Sequence, residues 1–126
     1  MDKAKILVVE DDEFLREVYL ETLKDEGYIV EVAIDGDEGL KKIKQGGYDL
    51  VLLDIIMPKM DGLEVMRKIK IEGTIIPNKR LIFLTNLDKD EEIKEALKLG
   101  DGYLIKSQLT PGDLIKEVQL YLAKNL

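Results

Sequence analysis

Cysteine and histidine are both missing from the 126 residues. Without cysteine there is no thiolate nucleophile, no disulfide and no cysteine-ligated metal, which agrees with a reducing compartment. Without histidine there is no imidazole acid or base and no imidazole metal ligand, so carboxylate oxygen is the ligand type on offer. Proline occurs only three times, while apolar residues make up 45% of the chain and charged residues 36%. That balance suits one soluble globular domain over 1–126 and not a disordered segment. No apolar run approaches the roughly 20 residues that cross a bilayer. The opening MDKAKILVVEDD also lacks the basic-then-apolar pattern and cleavage site of a secretion signal, so a cytoplasmic protein is expected. The net charge of −7 argues against nucleic-acid backbone or anionic membrane as a direct partner, because both demand a basic surface.

What is present is a rhythm. Three nearly continuous apolar runs, KILVV at 5–9, DLVLL at 49–53 and RLIFL at 80–84, suit strands covered on both faces. Two weaker runs, YIVEVA at 28–33 and GYLI at 102–105, bring the expected strand count to five. Between them lie segments of helical period. Residues 13–26 put Leu15, Val18, Thr22 and Leu23 on one face before Gly27. Residues 36–45 end at Gly46-Gly47, 62–71 start after a capping Asp61, and 89–99 end at Gly100. The last helix has Thr110 as cap and Pro111 at its first position, with Leu114, Ile115, Val118, Tyr121 and Leu122 along its inner face. Strict β-α alternation predicts an α/β fold: a doubly wound parallel sheet of five strands in flavodoxin-like order 2-1-3-4-5, (βα)5, with right-handed crossovers.

In such sheets ligands bind beyond the carboxyl ends of the strands, where the winding reverses. Glu10, Asp11 and Asp12 follow the first strand, Asp54 the third, Thr85 the fourth and Lys106 the fifth. In the predicted order the first and third strands are neighbours, so Glu10, Asp11 and Asp54 should converge. Carboxylates packed together repel unless a cation offsets them. Magnesium, which takes a few carboxylate and carbonyl oxygens and keeps room for a phosphoryl oxygen, fits that composition. Lys106 adds a mobile positive charge and Thr85 a hydroxyl donor. Each piece alone has a plain structural alternative: a solvated turn and helix cap for the acidic run, a cap or ion pair for Asp54, a strand-end threonine, a surface lysine. Four such groups at one edge point to a site.

These residues resemble the receiver domain of two-component response regulators, of the single-domain, chemotaxis-regulator-like kind. KILVVEDD resembles the family's opening strand and acidic pair, DLVLLDIIMPKMDG its phosphoacceptor strand and loop, LIFLTN its hydroxyl position and GYLIKS its aromatic and lysine positions. The resemblance implies a signalling domain rather than an enzyme, with Asp54 accepting a phosphoryl group from a partner phosphohistidine. It implies that Glu10, Asp11, Asp54 and the backbone carbonyl of Ile56 hold magnesium, and that Asp12 starts the helix. Lys106 would pair with phosphoryl oxygens, Thr85 would move to hydrogen-bond one of them, and Tyr103 would turn inward when it does. The implied partners are a histidine kinase or phosphotransfer protein and a downstream protein target, met on the face of the fourth helix, fifth strand and fifth helix.

The chain departs from the family pattern at three positions. Asn86 stands where a small residue is usual, which is expected to narrow access to the site. Ser107 stands where a proline after a cis peptide bond is common, and Asp101 interrupts a Gly-Ala pattern before the aromatic. Ile56 and Leu87, two residues beyond Asp54 and Thr85, are both apolar and unable to orient an attacking water, so slow hydrolysis of the acyl phosphate is expected. Two alternatives stay open: a receiver-like interaction module that is not phosphorylated, and a small haloacid-dehalogenase-like phosphatase. The latter carries a second aspartate two residues after the first, where this chain has Ile56. Few residues follow the fifth helix, so the chain is expected to be a stand-alone regulator or a receiver cut from a longer protein.

Overall fold

A computed structural model describes residues 3–86 and 90–123 of the chain. Its strands are β1 Lys5–Val9, β2 Ile29–Ala33, β3 Leu50–Asp54, β4 Leu81–Thr85 and β5 Gly102–Ile105. The helices are α1 Glu13–Asp25, α2 Gly36–Gln45, α3 Gly62–Glu72, α4 Asp90–Leu99 and α5 Pro111–Ala123. All pairings are parallel and the order is β2-β1-β3-β4-β5, as the alternation predicts. The expected start of α4 at Lys89 lies outside the described residues. Strands β3 and β4 each run one residue further than the apolar runs suggest. Asp54 and Thr85 are therefore held as the last residues of the sheet itself, not as the first residues of loops.

The continuous apolar runs have a packing reason: every residue of β3 and β4 is buried. Alternation sends Leu7, Val9, Val51, Leu53 and Phe83 to one face, where they meet Ile43, Val65, Ile69 and Ala96 from α2, α3 and α4. The other face carries Ile6, Val8, Leu50, Leu52, Ile82, Leu84 and Leu104 against Tyr19 and Leu23 of α1 and Leu114 and Val118 of α5. Burial of each such side chain is worth about 1.5–3 kcal/mol before conformational entropy is charged against it. In α1 the fully buried positions are Tyr19 and Leu23, and Leu15 packs beside them; Val18 is only half-buried. Tyrosine can bury its ring while its hydroxyl stays polar, which moves the helix face by one residue from the aliphatic pattern.

Each helix returns antiparallel to the strands, so helix N-termini gather at the edge where the strands end. Asp12, Asp35 and Asp61 cap α1, α2 and α3 by accepting from the amides of Leu15, Glu38 and Glu64. Thr110 accepts from the Asp113 amide at 3.1 Å at the start of α5. These termini carry partial positive charge and favour anions, so the edge that collects the carboxylates also collects the dipole ends that tolerate them.

Candidate functional site

Three strand ends build the centre. Glu10 follows β1 directly and is fully buried; its backbone amide bonds to Ala33 O at 3.1 Å, tying it to β2. Asp54 closes β3 and is 3% exposed. Lys106 follows β5, and its ammonium lies 2.6 Å from Glu10 Oε1 and 3.0 Å from Asp54 Oδ2. Period two explains the meeting: Glu10 continues the face of Ile6 and Val8, Asp54 that of Leu50 and Leu52, and Lys106 that of Leu104. Asp11 is exposed, yet it offers a carboxylate oxygen to the same group, in which Glu10, Asp11 and Asp54 oxygens all lie within 4.8 Å of one another.

Burial is the main force on the Asp54 carboxyl. With the Glu10 carboxylate beside it, burial pushes Asp54 up to about 7, although the Lys106 ammonium works against that rise. Asp11 is raised as well, by desolvation and by its contact with Glu10. Burial pulls Lys106 down, but Glu10 and Asp54 outweigh it and the ammonium is held above its ordinary range. One ammonium thus faces three carboxylates, and the group is short of positive charge. Hard oxygen donors in this number, with room at the open side, fit a magnesium ion. The open side is a cleft of about 360 Å³ bounded by Glu10, Asp11, Asp54, Ile56, Asn86 and Lys106.

The turn that carries Ile56 is clamped from behind. Gly62 donates to Ile55 O at 2.8 Å, and a Cβ at position 62 would run into the Asp54 carbonyl oxygen. Asp61 caps α3 while Gly62 permits that close approach, so the Asp-Gly pair has two separate duties. Ile56 itself is 63% exposed at the cleft. Thr85 is buried at the end of β4, paired in register with Ile105 next to Lys106. Alternation places it with Phe83, on the opposite face from Asp54 and Lys106. Tyr103 pairs with Phe83 and packs half-buried on the same core cluster. Neither Thr85 nor Tyr103 lines the cleft. Leu87 lies outside the described residues.

Some contributors have no signal in the sequence. Arg16, one turn into α1, donates from Nη1 to Glu10 O at 3.0 Å and to Asp11 O at 3.3 Å, which holds the acidic turn in place. Asp12 serves as the cap of α1, as expected, and its own amide bonds to Glu10 Oε2 at 3.2 Å. Asp101 accepts from the Leu81 amide at 2.7 Å, so that departure from the family pattern is a brace at the far edge of the sheet. Lys106–Gln108 form a single 3₁₀ turn, and no peptide bond among the described residues is cis. Asn86 Oδ1 accepts from the Ser107 amide at 2.8 Å.

Comparison with known proteins gives one consistent result. The family model described as response regulator receiver domain matches residues 6–119. The transcriptional regulatory protein DltR of Streptococcus agalactiae is 38% identical over 116 residues, which are 92% of this chain and 50% of that protein. The chain spans about half the length of the curated relatives it matches. Among solved structures, a CheY-like response regulator receiver domain protein of Methanospirillum hungatei superposes with TM-score 0.83 at 32% identity, covering 96% of this chain and 94% of that one. The response regulator TrrA of Thermotoga maritima, solved in complex with Mg(2+)-BeF, gives TM-score 0.77 at 36% identity, covering 94% of this chain and 98% of that one.

Proposed function

Because the chain belongs to the response regulator receiver domain family of two-component signalling, we propose that its Asp54 is a phosphoacceptor charged by a phosphohistidine on a partner protein. The observation that carries this reading is the Lys106 ammonium lodged between Glu10 and Asp54 at the mouth of an open, carboxylate-rich cleft. A receiver domain spanning 1–126 and working in the cytoplasm is part of the same reading; no helix among the described residues is long and apolar enough to cross a membrane.

In the step itself an Asp54 carboxylate oxygen attacks phosphorus, the P–N bond to the partner imidazole breaks, and an acyl phosphate forms. Asp54 attacks ionised, so the ammonium of Lys106 beside it favours the reactive form. Lys106 then follows the charge from the carboxylate to the phosphoryl oxygens. Glu10, Asp11, Asp54 and the Ile56 carbonyl would hold magnesium, whose charge would neutralise phosphoryl oxygens as they approach. The buried Thr85 hydroxyl, one residue from the end of the described β4–α4 connection, would reorient toward the new oxygens. Tyr103 on the same face would fill the space it leaves, altering the α4, β5 and α5 surface offered to a downstream protein target. The donor is a histidine kinase or phosphotransfer protein, since this chain has no histidine. A signalling domain of this kind assists its own modification without turning over a separate substrate.

Incubation with magnesium and acetyl phosphate, read by intact mass, tests the assignment. A phosphoryl adduct that needs magnesium and disappears in Asp54→Ala is expected. No adduct on the folded parent protein, together with no beryllofluoride binding, would overturn the assignment and leave an interaction module that is not phosphorylated.

A further inference from the structure

Asn86 and Ser107, two of the departures from the family pattern, are each other's partners: the Asn86 Oδ1 accepts from the Ser107 N–H at 2.8 Å. Thr85 and Ile105 are paired at the ends of β4 and β5. Asn86 follows the first of these and Lys106-Ser107 the second, so this bond carries the pairing of the two strands one step past the sheet. Proline at 107 would have no N–H to give, and a small apolar side chain at 86 would have no acceptor to offer. The two departures together make a contact that neither makes alone.

The contact falls where Lys106 is aimed. Lys106 opens the 3₁₀ turn, and Ile105 before it supplies no side-chain cap. Within the turn the Leu109 amide bonds back to Lys106 O at 3.2 Å, while the Ser107 amide finds the Asn86 side chain. From this turn the Lys106 side chain reaches Glu10 and Asp54 at 2.6 and 3.0 Å. A lysine is a point charge on a flexible four-carbon stem, so its placement depends on how firmly its backbone is held.

We propose that Asn86 is a positioning residue: by holding the Ser107 amide it fixes the turn from which Lys106 reaches the phosphoacceptor, and it links that turn to the end of β4. The proposal rests on Asp54 being the phosphoacceptor. Asn86 is exposed, so its replacement leaves the core intact.

Four proteins test it: the parent, Asn86→Ala, Asn86→Leu, which keeps bulk without an acceptor, and Asn86→Asp, which keeps the acceptor. Each is followed by the rate of magnesium-dependent phosphorylation from acetyl phosphate and by hydrogen exchange of the Ser107 amide. Loss of one neutral hydrogen bond should slow phosphorylation roughly 3- to 10-fold in the Ala and Leu variants and speed Ser107 exchange by a similar factor. Magnesium affinity should be unchanged in the Ala and Leu variants, and the Asp variant, which adds a charge at the cleft, is read by Ser107 exchange alone, which it should restore. A parent-like rate in Asn86→Ala overturns the proposal whatever the amide does, as does a Ser107 amide that exchanges as fast in the Asp variant as in the Ala variant. If the parent protein takes no phosphoryl group, the phosphoacceptor reading fails separately. The latch is then judged without donor: loss of Ser107 protection and of the Lys106 ammonium NMR signal in Asn86→Ala supports it, and retention of both overturns it.

Discussion

Two clusters of carboxylates, at opposite edges of the sheet, are treated in opposite ways. At the edge where the strands begin, Asp49 accepts from the Lys5 amide at 2.8 Å and pairs with the Lys79 ammonium at 3.0 Å. Burial works to raise its carboxyl, but those two donors outweigh it and hold Asp49 below the ordinary range. Nearby in β2, Glu31 is likewise lowered against burial, by the Lys5 ammonium at 3.1 Å and the Tyr48 hydroxyl at 2.9 Å. At the edge where the strands end, three carboxylates share one ammonium, and Asp54 and Asp11 are raised. The first cluster matches donors to acceptors and contributes to stability. The second, Glu10, Asp11 and Asp54, leaves acceptors in excess, and that shortage of positive charge is what a cation and an incoming phosphoryl group can exploit.

The comparison breaks most sharply if its one ammonium is removed. Lys106→Ala should slow magnesium-dependent phosphorylation roughly 100-fold, the scale of losing one preorganised charged donor. Acetyl phosphate kinetics on the variant measure this, and a near-parent rate would remove Lys106 from the mechanism.

Next in size is a stability difference with a definite sign. Asp54 binds its proton more tightly folded than unfolded, so its contribution is fully present below the ordinary carboxyl range and is lost as pH rises through about 7. Asp49 has the opposite sense: its contribution is present above the ordinary range and is lost as pH falls through its lowered value. Metal-free protein should therefore lose stability on both sides of a weakly acidic optimum. Asp54→Asn should remove the loss between the ordinary carboxyl range and about pH 7, and stabilise the metal-free protein at pH 8 by ~1–3 kcal/mol, the scale of an inadequately paired buried group. Denaturant melts at several pH values check it; an unchanged fall in stability over that range in Asp54→Asn would contradict the account.

Two smaller effects sharpen the contrast. Ile56→Asn puts a polar group at the exposed rim, where the parent side chain is apolar, and should raise dephosphorylation about 10-fold, below the roughly 100-fold or more of a general acid or base because an amide only orients the water. Decay of the phosphoryl adduct by intact mass decides, and an unchanged rate ends the idea. Asp49→Asn, at the other edge, should cost about 1 kcal/mol of stability through its weakened bonds to Lys5 and Lys79, and leave the phosphorylation rate untouched.

Asp54 and Lys106 were legible because each interrupts or ends an apolar run, and a charged group there needs a reason. The caps Asp12 and Asp61 were legible because capping is local, reaching three residues along the chain. Arg16 was not: an arginine on an exposed turn of helix looks alike whether it meets water or, as here, the carbonyls of Glu10 and Asp11. The Asn86–Ser107 bond is equally silent, since nothing local marks a side chain that will accept from a backbone amide 21 residues away. Tyr19 gives no signal either: helical period selects Leu15, Val18, Thr22 and Leu23, while packing selects a ring.

By itself, the order of residues determined the five βα units, their parallel pairing and the strand ends at which chemistry could gather, because hydrophobic period and turn chemistry act over a few neighbours. Tertiary structure alone decided that Lys106 reaches across 52 positions to Asp54, and that one ammonium must serve both Glu10 and Asp54. It also decided that Asn86 holds a turn 21 residues away. Those distances depend on strand register and on how far each strand runs before it turns, and burial then sets the strength and sign of what the charges feel.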